Sequence, residues 1–206
     1  MTATRTTIAI SRQRGSGGSY VGRLVADRLG LRYIDRELLR HAAEYLCTHK
    51  QEEPKAHTPS WWERLGQTMA LGAADVGYTP PSSEVAYEGE LFEIERRLMV
   101  EIAADMDSVI VGRGAAQTLK GQKGMLSVFL FAPDSWRAVR VREVYESPDA
   151  RAAERMMRDS DRDRGRFIHA LCGNDWTDMR VYDLAIDISV IGLEAAADLI
   201  VRAASR

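Results

Sequence analysis

The run "TTIAIS" at residues 6–11 passes directly into "RQRGSGGS" and then into "YVGRLVADRL", which ends at Leu29. A short β-branched segment that stops at a glycine cluster reads as a strand. Beyond the glycines, Val21, Leu24, Val25 and Leu29 recur at helical spacing, and Gly30 supplies the stop. A strand that turns through glycines into a helix commits the chain to a βα unit, and so to an α/β fold on a mainly parallel sheet. The rest of the chain repeats the alternation. Strands are predicted over 31–35, 108–114, 125–133 and 182–190, and helices over 36–47, 84–106, 134–146, 148–172 and 192–206. The apolar continuity of "MLSVFLFAP" suits a central parallel strand. Right-handed crossovers then bring the strand ends and glycine turns to one edge of the sheet.

The glycine turn is the first candidate for chemistry. Glycines at 15, 17 and 18 let backbone N–H groups converge on an anion, and the helix starting near 18 adds its positive end. The phosphate-loop pattern G-x-x-x-x-G-K-[ST] would place Gly at 12, Gly at 17, Lys at 18 and Ser or Thr at 19. This chain has Arg12, Gly17, Gly18 and Ser19. The context fits and the lysine is absent. Arg14, Gly15, Ser16, Gly17, Gly18 and Ser19 are therefore candidates for holding nucleotide phosphates, with the Ser19 hydroxyl offered to Mg²⁺. Arg12 and Arg14 flank the loop and are placed to restore the missing charge from another direction. The plain alternative is a glycine-rich turn between a strand and a helix.

Other basic groups fall at the same predicted edge. Asp35-Arg36-Glu37 follows the second strand. Asp35 either caps the next helix or accepts a hydrogen bond from a substrate hydroxyl or amine. Arg36 and Arg40 either lie in solvent or grip an acceptor phosphate. Arg113 sits on the glycine-flanked turn "VGRGA", as a ligand group or as an ion-pair partner of Asp35 or Glu37. Arg151, Arg155, Arg158, Arg162 and Arg166 step by 4, 3, 4 and 4, so they share one helix face. Such a stripe is either a solvated, internally paired face or a mobile lid closing over a triphosphate. Arg158 and Arg162 are its candidate catalytic arginines. His41, His49, His57 and His169 show no metal spacing. Trp61 and Trp62 either anchor a flap or stack on a base.

Composition narrows the partners. The formal charge of −2 argues against bulk nucleic-acid or anionic-membrane binding. Cys47 and Cys172 lie far apart, no apolar run approaches a membrane span, and a reduced cytoplasmic setting is expected. With 206 residues the chain is expected to form a single domain, with an insertion at 48–90 and a lid at 148–170.

Taken together, these stretches resemble the cytidylate kinase-like family, a branch of the P-loop nucleoside monophosphate kinases. The likeness covers "IAISRQRGSGGSYVGRLVADRLGLRYIDREL", "VIVGRGAAQTL", "SVFLFAPDSWRAVRV", "RMMRDSDRDRGRF" and "YDLAIDIS". It implies a three-layer P-loop kinase fold with a five-stranded, mainly parallel sheet, an acceptor-binding insertion and an arginine lid. It also implies ATP with Mg²⁺ as donor and a pyrimidine monophosphate, cytidylate above all, as acceptor. Asp35, Arg36 and Arg113 would bind that acceptor. Authentic cytidylate kinases keep the loop lysine, and they carry Gly-Arg-Asp where this chain has Gly112-Arg113-Gly114. Lysine loss with "GSGG" is typical of the "like" branch. In the lid, Arg158 and Asp159 match an Arg-Asp pair, and Arg162 or Arg164 matches the arginine that follows. The other readings are a nucleotide-binding regulator with little turnover and a kinase of a different small acceptor.

Overall fold

The structure is a computed structural model, and it describes residues 5–48, 85–145 and 149–205. The predicted flap elements within 49–84, with Trp61, Trp62, His49 and His57, lie outside these residues. The chain divides into two compact units, one of residues 1–36 and 99–206, the other of residues 37–98.

The larger unit is built on five strands: β1 Thr7–Arg12, β2 Arg32–Ile34, β3 Ser108–Val111, β4 Met125–Phe131 and β5 Leu184–Asp187. Every pairing is parallel, and the order across the sheet is β2-β3-β1-β4-β5. β1 lies in the middle, its Ile8 facing Val109 of β3 and Leu126 of β4. From β1 the chain moves toward one edge to form β2, and from β3 it moves toward the other to form β4. The carboxyl ends of β1 and β3 thus flank a topological switch point, where open parallel sheets bind ligands.

Helices α1 (Gly18–Leu29) and α8 (Leu193–Ala204) cover one face. Val21, Val25, Ala196, Ala197 and Ile200 pack there on Ile8, Ile10, Val109, Val111, Val128, Leu130 and Ile186. Alternate residues point to the other face, as the pleat requires. There the Phe129 ring meets Trp176 edge-on at 5.6 Å and stacks on Tyr182 at 5.0 Å. Burying both sides of β4 explains its apolar run, interrupted by Ser127, whose hydroxyl donates to Asp183 at 2.7 Å.

In the smaller unit the described helices are α2 (Arg36–Thr48), from its second residue on, and α3 (Val85–Asp105), as far as Leu98. Leu39, Ala42 and Ala43 of α2 are buried at helical spacing, and Arg40 pairs with Glu44 at 2.8 Å. The larger unit is completed by α4 (Ala115–Thr118), α5 (Asp134–Tyr145), α6 (Ala150–Cys172) and α7 (Ile188–Ile191). α6 is the predicted charged helix, and Asp149 caps it by accepting from the Ala152 N–H at 2.7 Å.

The four strands predicted after the first are all shorter than expected, and the two that lose most stop for a local reason. The last one stops at Asp187, whose carboxylate accepts from the N–H and hydroxyl of Ser189 and so starts α7. The third stops at Val111 because Gly112, Arg113 and Gly114 all adopt positive φ (87°, 52° and 69°), which ends the extended chain.

Candidate functional site

The loop after β1 is fixed from beneath. Gln13 N–H donates to the Leu130 carbonyl at 3.0 Å, and the Gln13 side-chain oxygen accepts from Ala132 N–H at 3.2 Å. Ser16 is fully buried, and its hydroxyl lies 2.9 Å from the Gln13 carbonyl and 3.2 Å from that of Leu130. Ser16 therefore shapes the loop from inside. Gly17 precedes α1 in the left-handed conformation and contributes no side-chain cap. Among the described residues, the N–H groups of Gly15, Gly17, Gly18 and Ser19 meet no protein acceptor. These amides, with the first turn of α1 behind them, can bind an anion. Ser19 is exposed on that turn.

Cations surround the loop. A Cβ placed on Gly18 would lie 2.5 Å from Cγ of Arg12, and one on Gly17 would lie 3.4 Å from Nε of Arg140. Arg14 reaches Met156 Sδ at 3.7 Å, and its N–H donates to Asp161 at 2.8 Å. Asp161 is the junction between lid helix and loop. Its carboxylate also takes Arg137 at 2.6 Å and Arg164 at 2.9 Å. Arg137 is 4% exposed and donates in addition to the carbonyls of Arg14 and Ala132 and to Asp134. Four of the five N–H donors of its guanidinium are thus engaged. Arg164 lies over the Trp176 ring at 5.3 Å. Burial draws its basicity below the usual guanidinium value; Asp161 opposes this, and the charges of Arg14 and Arg36 reinforce it.

Of the predicted lid arginines, Arg158 pairs with Glu154 at 3.1 Å and Arg162 pairs with Asp159. All four side chains are exposed on α6. The structure brings Arg164 to the loop's ion-pair network and leaves Arg158 and Arg162 on the outer surface of the helix. Arg137 and Arg140 were not singled out from the sequence as site residues, and Arg164 entered only as the alternative to Arg162 in the lid. The available signal was the run of basic residues in the helix after β4, and the i,i+3 offset of Arg164 from Asp161.

The acceptor candidates lie at neighbouring strand ends. Asp35 follows β2 and faces Arg23 at 3.9 Å; Arg36 is exposed. Arg113 stacks over the Phe167 ring at 4.9 Å. It is the one non-glycine residue with positive φ among those described, a strained backbone at a strand end. Near Asp35 and the loop stands Tyr33, whose ring lies under Arg23 at 4.7 Å. Its hydroxyl is buried without a hydrogen bond of standard geometry. Burial, then the charge of Asp35, push its ionisation above the ordinary phenol value, while Ser19, Arg23 and Arg12 act against the rise.

Among the described residues no group of three or more His, Cys, Asp or Glu side chains could hold a metal ion by itself. A lone hydroxyl such as Ser19 still fits Mg²⁺, which keeps most of its shell as water and phosphate oxygen. No helix among the described residues is long and apolar enough to cross a membrane.

A parallel sheet in this order, a glycine loop after the central strand and an arginine-bearing helix define the class: a P-loop kinase fold of the nucleoside monophosphate kinase type. The chain belongs to the cytidylate kinase-like family, whose model matches residues 7–190. Among solved structures it is similar to an uncharacterized protein from Eubacterium ventriosum ATCC 27560, at 23% identity and a TM-score of 0.72, over 98% of this chain and 99% of that one. Shikimate kinase from Bacteroides thetaiotaomicron matches at 14% identity and a TM-score of 0.54, over 98% and 99% of the two chains. Shikimate kinase from Acinetobacter baumannii, solved in complex with shikimate, matches at 16% and 0.51, over 97% and 93%. These likenesses show the fold. No curated protein sequence matches the chain.

Proposed function

We propose that this protein is a cytoplasmic enzyme that transfers a phosphoryl group from ATP to a nucleoside monophosphate, with cytidylate the first candidate. The observation that carries the reading is the set of amides at Gly15, Gly17, Gly18 and Ser19 that meet no protein acceptor among the described residues, at the switch point of a kinase-type sheet and with arginines close by. In this reading those amides and Arg14 cradle the donor phosphates, and Ser19 holds Mg²⁺ with them. Asp35, Arg36 and Arg113 orient the acceptor, with residues 48–90 as the acceptor-binding insertion. Residues 148–170 form the lid, from which Arg158 and Arg162 reach the transferring group on closure. Positioning and charge carry most of phosphoryl transfer, so the assignment requires no general base.

A second reading is a nucleotide-binding regulator with little turnover. Gly114, which stands where authentic cytidylate kinases carry the acidic residue, favours it, as does Gly18 in the lysine's place. Because shikimate kinases share the fold, a non-nucleotide acceptor is the third possibility. ADP release measured with ATP, Mg²⁺ and a panel of CMP, UMP, AMP and shikimate separates the three. Release with CMP supports the kinase. ATP-induced thermal stabilisation without release under any acceptor supports the regulator. Release with shikimate alone moves the acceptor out of the nucleotide class.

A further inference from the structure

We infer that Arg12 is the cation that takes the place of the phosphate-loop lysine, through an exchange of residue types between the first and seventh positions of the loop pattern. Where the pattern has glycine first and lysine seventh, this chain has arginine first and glycine seventh. In sequence these are two separate departures. In space they are one. A Cβ built on Gly18 would lie 2.5 Å from Cγ, 2.8 Å from Cβ and 3.2 Å from Cδ of Arg12. The stem of Arg12 therefore covers the position from which a lysine side chain would start. No residue with a Cβ fits at 18 while Arg12 holds this path, because the obstructing atoms belong to the base of the side chain, which cannot swing aside.

The far end of Arg12 is positioned as well. A Cβ on Gly112 would meet the guanidinium, with Cζ 2.9 Å away. Gly112 combines a φ of 87° with this close approach, so two independent constraints reserve the position for glycine. Arg12 thus runs from the end of β1, across the first residue of α1, to the end of β3. Those two strand ends flank the switch point. Its charge also acts on the Tyr33 hydroxyl, beside Ser19. An arginine laid along this path brings a fixed, fork-shaped donor to the phosphates where the pattern has a point charge.

This assignment rests on the donor-phosphate reading above, and its test separates the two. ATP–Mg²⁺ affinity is measured by calorimetry for the wild type, Arg12→Met, Arg12→Lys, Arg12→Gly, Gly18→Lys and the exchange Arg12→Gly/Gly18→Lys, with the nucleotide-free melting temperature of each. Arg12→Met keeps the packing on Gly18 and removes the charge. It is expected to bind ATP roughly 10- to 100-fold more weakly, the range for loss of a charged hydrogen bond. Arg12→Lys is expected to lie between it and the wild type. Gly18→Lys alone is expected to melt lower, and the double exchange to regain most of the affinity that Arg12→Gly loses. A wild type that binds ATP while Arg12→Met binds it equally well overturns the assignment alone. So does a folded double exchange that binds no better than Arg12→Gly. A wild type that binds no nucleotide overturns the phosphate-site reading, and the assignment falls with it.

Discussion

Arg137 donates to Asp161 across 2.6 Å, from a side chain that is only 5% exposed. The same carboxylate accepts the Arg14 N–H of the loop, so one ion pair ties the helix after β4, the lid helix and the glycine loop together. Asp161→Ala takes away the carboxylate shared by Arg137, Arg164 and the Arg14 N–H, leaving Arg137 with exposed Asp134 and two carbonyls, and is expected to cost about 1–3 kcal/mol in urea unfolding. Arg137→Met is expected to cost less, since Asp161 keeps Arg164 and the Arg14 amide. Equal, small losses would show that the junction is not holding the loop.

The lid arginines are expected to divide by measurement. Arg164 already belongs to the loop's network, so Arg164→Ala is expected to weaken ATP binding in the resting protein. Among the described residues, Arg158 and Arg162 pair only with carboxylates of their own exposed helix face. Arg158→Ala and Arg162→Ala are expected to leave stability within about 0.5 kcal/mol of the wild type. If the lid closes in the reaction, each is expected to lower turnover ~10²–10³-fold with little change in ATP affinity. Parallel losses in turnover and affinity would count against that role.

Arg113 provides a backbone test. Its φ of 52° penalises any residue with a Cβ. Arg113→Gly is therefore expected to be about 1 kcal/mol more stable than Arg113→Ala in chemical denaturation. Both variants are expected to raise KM for the monophosphate alike, because both lose the guanidinium. A more stable alanine variant would mean that the turn relaxes when the contact with Phe167 is lost.

Tyr33 sets a pH dependence at the alkaline end. Its folded ionisation lies above the unfolded value of 10.0, chiefly through burial. The associated stability is whole below pH 10 and is lost as pH rises through the folded value, because the unfolded chain gives up its proton first. Unfolding free energies of the wild type and Tyr33→Phe, compared from pH 8 upward, are expected to keep a constant difference to about pH 10. Above that the wild type is expected to fall faster. Parallel curves throughout would show that the Tyr33 hydroxyl is free to ionise.

The fold was legible because it rests on local rules. The alternation of apolar runs with 3.6-residue periodicity marked all five strands and the long helices between them, but not the four-residue α4. "RQRGSGGS" after a β-branched run located the anion-binding turn. Errors fell at ends, as at Asp187, where one carboxylate captured Ser189 and began a helix that the apolar run "LAIDISV" did not announce. What the sequence could not supply was which cations meet the loop. Arg158 and Arg162 share a stripe with their neighbours, but periodicity says only that they share a helix face, not what that face meets. Arg137 and Arg140 looked like ordinary charged positions in "DSWRAVRVREV". Burial of one and the approach of the other to Gly17 arise only once β4 lies beside β1. Arg12 and Gly18 read as separate departures from a motif, with Arg12 and Arg14 equal candidates for the missing charge, until the chain turned back on itself and laid Arg12 against Gly18. Local order follows from near neighbours along the chain. The placing of charge depends on contacts between distant segments, which only the closed sheet creates.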